Sequence, residues 1–288
     1  MIVARTRAEV RDARLNLAKP VGIVPTMGAL HRGHLALLDV ARACDRSVVA
    51  TLFVNRAQFG QPKDFSTYPR DETADLAAFE AAGVDVAFVP DEADIYPKGG
   101  VALVHPGPIA LDLEGARRPG HFAGVATIVA KLFGLSRPHR AYFGQKDWQQ
   151  IRVIAQIVAD LEIPLTMTTI DTVRDTDGLA LSSRNVRLTS EDRVAATSLY
   201  RGLTLAREAW YKGNHSPTEL ERIVSNVIDR EHLATTAYVA VRHALTLLPL
   251  REAIPPFVIA GAIEINGIGL IDNIVVGEGL TMSGDLNG

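Results

Sequence analysis

The chain has 288 residues, 47% of them hydrophobic and 22% charged, and its 30 Lys+Arg against 33 Asp+Glu leave a net charge of −3. This is the composition of a globular protein long enough for two domains, each with its own core. Such a balance excludes a polyanion-binding scaffold, so no nucleic-acid partner is expected, and the single cysteine, Cys44, excludes both an intrachain disulfide and a thiolate metal cage, as befits a reducing cytoplasm.

In chain order, the short β-branched runs 21–26 and 47–54 read as strands, and the stretch between them carries Leu35, Leu38 and Ala41 at helical spacing. The alternation continues with a helix over 71–82, a strand at 85–90, a helix over 122–135, a strand at 140–144, a helix over 147–161 and a strand at 165–173. Repeated βα units predict an α/β fold, a Rossmann-like doubly wound parallel sheet with its ligands at the carboxyl ends of the strands. Near Arg174 the pattern changes to two helices, 190–212 and 217–231, and three strands, 236–243, 257–265 and 269–276. The expected division is a first domain over 1–174, a smaller C-terminal α+β lid over 175–282 and a loose tail over 283–288. Thr189 and Asp192 fit a capping box, and Ser216 precedes Pro217 at a first helical position. No run approaches the ~18 apolar residues of a membrane span, and residues 1–10 lack the apolar core of a signal peptide.

Gly28 and Gly33 have P-loop spacing, but His34 and Leu35 stand where that motif needs Lys and Ser/Thr. The segment PTMGALHRGH (25–34) instead follows a strand and opens a helix. Small residues there admit a phosphate chain, the helix start offers N–H groups and a positive dipole end, and His31 and His34 share a face. A second polar cluster, Asn55 to Gln58, follows the next strand and offers uncharged amides to a carboxylate or hydroxyl, although Asn55 alone is an ordinary turn former. A third, GQKDWQQ (144–150), places Lys146 at a strand-to-helix switch, where Asp147 alone is an ordinary N-cap. A fourth, 174–185, sets Ser182, Ser183 and Arg184 in succession at the expected domain junction, which suits a triphosphate under a closing loop.

PTMGALHRGH, FVN..QF, YPR, HFAGV, GQKDWQQ and GLALSSRN together resemble the pantothenate synthetase family, densely over about 20–190. The first and last resemble the two nucleotide signatures of the HIGH nucleotidyltransferase superfamily, and LIDNI (270–274) extends the likeness into the C-terminal part. The resemblance implies an ATP- and Mg²⁺-dependent ligase that condenses pantoate with β-alanine through a pantoyl adenylate, releasing AMP and pyrophosphate, and works as a homodimer. It implies catalytic roles for His34, His31, Lys146 and Arg184, and an ATP site formed by Met27, Gly28, Ala29, Leu30, His31, Arg32, Gly33, His34, Gly144, Gln145, Lys146, Asp147, Val173, Leu181, Ser182, Ser183 and Arg184. Gln58 and Gln150 would hold pantoate, Asn55 and Tyr68 would lie in or near the acid pocket, and Asp75 is the metal-ligand candidate. This sequence departs from the family at Arg56, where proline is usual, at Leu181, where methionine is usual, and at Gln145, where glutamate is also common, while Ala74, next to Asp75, stands where some relatives carry a second acid. A related nucleotidyltransferase or a catalytically silent nucleotide-binding homologue is the alternative, separable by whether pyrophosphate release requires pantoate. A tRNA synthetase would need an anticodon module and a basic surface.

Overall fold

The computed structural model describes residues 1–60, 62–100 and 102–281. Its contacts divide the chain into two compact units, one formed by Met1–Gly144 with Gln149–Ile170, the other by Gln145–Trp148 with Asp171–Thr281.

The first unit runs β1 (Ile2–Ala4), α1 (Arg7–Leu15), β2 (Val21–Thr26), α2 (Arg32–Cys44), β3 (Ser47–Leu52), α3 (Pro62–Ser66), α4 (Glu72–Ala81), β4 (Val86–Phe88), α5 (Glu92–Ile95), α6 (Glu114–Arg117), α7 (His121–Ser136), β5 (Arg140–Gly144), α8 (Trp148–Asp160) and β6 (Thr166–Ile170). Its strands lie in the order β1-β4-β3-β2-β5-β6, and every neighbouring pair is parallel. Parallel strands covered on both faces need continuous apolar runs. Val21, Ile23, Val24, Val48, Val49 and Ala50 supply them, all buried. Leu37, Leu38 and Val40 of α2 and Phe79 of α4 pack with Val24, Ala50 and Ala87, while Phe122 and Ala126 of α7 pack with Val153 and Ile157 of α8. Each fully buried side chain of this size contributes roughly 1.5–3 kcal/mol. This is the expected doubly wound α/β sheet.

The chain passes from β2 to β3 and β4 on one side, and only later to β5 and β6 on the other, so the winding reverses between β2 and β5. At such a reversal the carboxyl ends of adjacent strands part to leave a crevice. Those ends are Thr26 and Gly144, which fall at the starts of two of the polar clusters.

In the second unit α9 (Ser190–Tyr211) and α10 (Pro217–Ile228) pack on the antiparallel sheet β7 (Thr235–His243), β8 (Phe257–Ile265), β9 (Ile268–Val276). Leu199, Leu203, Leu220, Val224, Phe257, Ile259 and Ile263 belong to its core. α9 starts with the expected Thr189/Asp192 capping box, and Ser216 caps α10 with Pro217 at its start.

Periodicity marks no element in residues 1–20, where the structure has β1 and α1. A three-residue edge strand is too short to show a period, and α1 is announced only by Thr6, whose side chain accepts from Glu9 N. The strand expected over 165–173 ends at Ile170, because Val173 instead accepts a hydrogen bond from Leu181 N in a hairpin. The expected tail, 283–288, lies outside the described residues. No helix among the described residues is long and apolar enough to cross a membrane.

Candidate active site

The turn after β2 takes left-handed backbone and is held by the side chains around it. Gly28 has φ +85°, and a Cβ there would come within 2.5 Å of Leu52 and 2.7 Å of Asp75. Ala29 is also left-handed, with φ 52°. Such backbone needs external support, which the buried Asp75 of α4 gives by accepting from Ala29 N at 2.9 Å and Leu30 N at 2.8 Å. His31 is then the N-cap of α2: its Nδ1 accepts from Gly33 N at 3.1 Å, while His34 Nδ1 accepts from His31 N at 3.3 Å. The ring centroids are 4.1 Å apart. Because each Nδ1 is an acceptor, the neutral imidazoles carry their proton on Nε2 and are donors there. The first turn of α2 holds no acidic residue, so its positive dipole end is not offset by its own side chains.

The residues of the first unit expected to line an acid pocket include a chain of amides. After β3, residues Arg56–Gln58 make a 3₁₀ turn with Asn55 and Gln58 buried. Tyr96 OH donates to Asn55 Oδ1 at 2.7 Å, Asn55 Nδ2 donates to Gln58 Oε1 at 3.0 Å and to Gly124 O at 3.1 Å, and Gln58 Nε2 lies 3.2 Å from Met27 Sδ. Each bond fixes which end of the next amide is the oxygen, so Gln58 is left presenting N–H groups. The Tyr96 pKa is pushed up to about 12, by burial first and by Glu92 second, against the opposing bond to Asn55, so its hydroxyl stays a donor. The HFAGV segment seats this turn: His121 Nδ1 and Arg118 both donate to Gln58 O, and at Gly124 a Cβ would stand 2.4 Å from Ala57 O. Tyr68 is buried with its ring 5.7 Å from that of Phe59, and Gln150 is half-buried near the start of α8. Arg56 is exposed, its guanidinium 5.7 Å from the Phe65 ring centroid.

Within the second unit, Gln145–Asp147 form a 3₁₀ turn and Ser183–Arg187 another, capped by Ser182. Lys146, Ser182, Asp272, Tyr200 and Leu179 line one shallow recess. The 174–185 segment is a braced hairpin. Leu181 N donates to Val173 O, Arg193 pairs with Asp175 and Asp177 at 2.7 Å each, and Arg174 pairs with Asp272. A loop moving alone would have to break those ion pairs. Ser183 is buried, Leu181 and Arg184 are half-buried, and Asp147 lies 3.9 Å from Lys146 Nζ, too far for a hydrogen bond.

Sequence reading singled out neither Tyr96 nor Arg118, gave His121 no role beyond its place in HFAGV, and could not show the bonds of Asp272 and Asn273 described below. Tyr96 follows the single helical turn α5 and belongs to no motif, so no local signal marks it. Both Asp75 oxygens are engaged by backbone N–H groups, and among the described residues no group of three or more His, Cys, Asp or Glu could hold a metal ion.

Comparisons with known proteins agree over nearly the whole chain. A family model described as Pantoate-beta-alanine ligase matches residues 2–275. A protein named pantothenate synthetase from Roseiflexus sp. (strain RS-1) is 47% identical over 276 residues, 96% of this chain and 99% of that protein. The crystal structure of pantothenate synthetase from Thermus thermophilus superposes with a TM-score of 0.91 at 44% identity, covering 96% of this chain and 100% of the other. That of pantoate-beta-alanine ligase from Francisella tularensis, complexed with beta-gamma ATP and beta-alanine, gives a TM-score of 0.78 at 34% identity, covering 96% of this chain and 97% of the other. With its doubly wound sheet, the histidine turn at the sheet's reversal and these matches, the chain belongs to the pantoate-β-alanine ligase family.

Proposed function

We propose that this protein joins pantoate to β-alanine in two steps at the expense of ATP. A pantoate carboxylate oxygen bonds to the α-phosphorus as the bond to the β-phosphate breaks and pyrophosphate departs. The neutral amine of β-alanine then attacks the acyl carbon, AMP leaves, and the amine proton is lost. The observation that carries this reading is the 27–34 turn at the carboxyl end of β2, where a braced left-handed turn, a helix start and two imidazoles with protonated Nε2 converge. Neither step needs a covalent enzyme group. Both need alignment and donors where negative charge grows.

In this reading Met27 to His34 cradle the triphosphate, with His31 and His34 donating to its oxygens. Lys146 adds an ammonium, Gly144 to Asp147 hold the nucleotide, Val173 borders the adenine, and Leu181 to Arg184 contact the phosphates. Gln58 and Gln150 hold pantoate beside Asn55 and Tyr68, Gln58 acting as a donor. Among the described residues no group of three or more His, Cys, Asp or Glu fits a resident metal ion, so in this reading Mg²⁺ would enter as the chelate of ATP, and Asp75 serves as the brace of the turn. The enzyme would act in the cytoplasm as a homodimer, which the mass of the protein in solution tests.

Pyrophosphate release should require both ATP and pantoate, and pantothenate should form only when β-alanine is added. Release independent of pantoate would overturn the reading. Tyr96→Phe removes the donor that orients Asn55 and, through it, Gln58. It should raise the KM for pantoate about 2- to 10-fold, the worth of one neutral hydrogen bond, with the KM for ATP unchanged. An unchanged pantoate KM would mean that the bond from Asn55 to Gly124 O suffices to orient Gln58 without Tyr96.

A further inference from the structure

Neighbouring residues on β9 reach two segments that are distant in sequence. Asn273, 2% exposed, donates from Nδ2 to Gln145 O at 3.0 Å and to Lys146 O at 2.9 Å, and its Oδ1 accepts from Gln145 Nε2 at 3.1 Å. Both amide protons and the amide oxygen are thus spent on the turn that carries Lys146. Asp272, 5% exposed, takes Arg174 in a two-pronged pair at 2.5 and 2.9 Å, and its Oδ1 also accepts from Asn273 N at 2.8 Å. Arg174 in turn donates to Gly178 O at 3.2 Å and lies 3.7 Å above the Tyr200 ring centroid. The 174–185 hairpin is therefore tied to β9 one residue away from the tie to Lys146.

Side chains of successive strand residues leave opposite faces, so Asp272 and Asn273 can serve two segments from one rigid support. β9 is paired along its whole length with β8, Asp272 opposite Gly261 and Asn273 opposite Ala260. Lys146, Ser182 and Asp272 line the same recess. We infer that Asp272 and Asn273 are positioning residues for the adenylation step: Asn273 sets the place of the Lys146 ammonium, and Asp272, through Arg174, sets the place of Ser182 to Arg184. This rests on the reading that Lys146 and the 182–184 residues hold phosphate. Such residues touch no reacting atom, yet displacing a phosphate donor by about 1 Å can cost on the order of 10²-fold in rate.

The experiment is a double-mutant cycle on ATP–pyrophosphate exchange, with melting temperature as a check on folding. Asn273→Ser should lower kcat/KM for ATP about 10- to 100-fold in the otherwise wild-type enzyme while leaving the KM for pantoate within about twofold, because only the phosphate donors move. In a Lys146→Ala background the same change should cost no more than about twofold, since the side chain it positions is gone. Equal losses in both backgrounds would show a merely structural role and overturn the inference. If Asn273→Ser does not fold, Asp272→Asn, which retains shape but removes the charge facing Arg174, carries the same cycle against Arg184→Ala, with the same two outcomes. Failure of Lys146→Ala and Arg184→Ala to alter kcat/KM for ATP would instead overturn the functional reading on which the inference rests.

Discussion

Replacing His34 with alanine is expected to lower kcat for adenylate formation by about 10²- to 10³-fold, the usual cost of removing one donor aimed at developing charge. His34 sits at the third position of α2, its Nδ1 occupied by His31 N, which leaves Nε2–H as the donor. Charge on the α-phosphate oxygens and the departing pyrophosphate grows toward the transition state, so the loss should fall mainly on kcat and less on the KM for ATP. The substitution also removes half of the capping box. That costs about 0.5–2 kcal/mol, visible as a modest fall in melting temperature rather than unfolding. ATP–pyrophosphate exchange and a thermal melt on the same preparation separate the two effects. Wild-type exchange in His34→Ala would remove this histidine from the chemistry.

Lys146→Ala should have the second large effect, again about 10²- to 10³-fold in kcat/KM for ATP in the first step. Its main-chain carbonyl is held by Asn273, so truncating the side chain leaves the turn in place. The ammonium makes only a 3.9 Å approach to Asp147, whose side chain is 47% exposed, so little stability is lost with it. The β-alanine step, started from preformed pantoyl adenylate, should change by no more than about threefold, because pyrophosphate has already gone. If only that second step slowed, Lys146 would belong to the acceptor side of the reaction. Lys146→Arg should recover part of the loss, its charge being right but its planar fork differing from a compact ammonium.

Arg56 illustrates how a motif departure reads differently once side chains have places. In the sequence it adds a charge next to Asn55 and Gln58, the residues proposed for the acid pocket. In the structure it is exposed over Phe65, while Asn55 and Gln58 are buried and joined to each other.

The order of residues alone determined the elements with strong local period, namely β2, α2, α7, α8 and the strands of the second unit. It also determined the starts of α9 and α10, because a cap and the helix it begins are neighbours in the chain. Clusters at the ends of β2, β3 and β5 were legible for the same reason: they follow a strand that is itself legible. What only the tertiary structure decided is which atoms those clusters present. Asp75 reaches Ala29 from 46 residues away, Tyr96 reaches Asn55 across 41, Arg174 meets Asp272 across 98, and Asn273 reaches Lys146 across 127. Such bonds form where the chain crosses itself, and no local spacing encodes them. The direction of Gln58's amide, set through Asn55 by Tyr96, and the place of the Lys146 turn, set by Asn273, therefore belong to the fold, since each depends on a partner that only packing brings into hydrogen-bond reach.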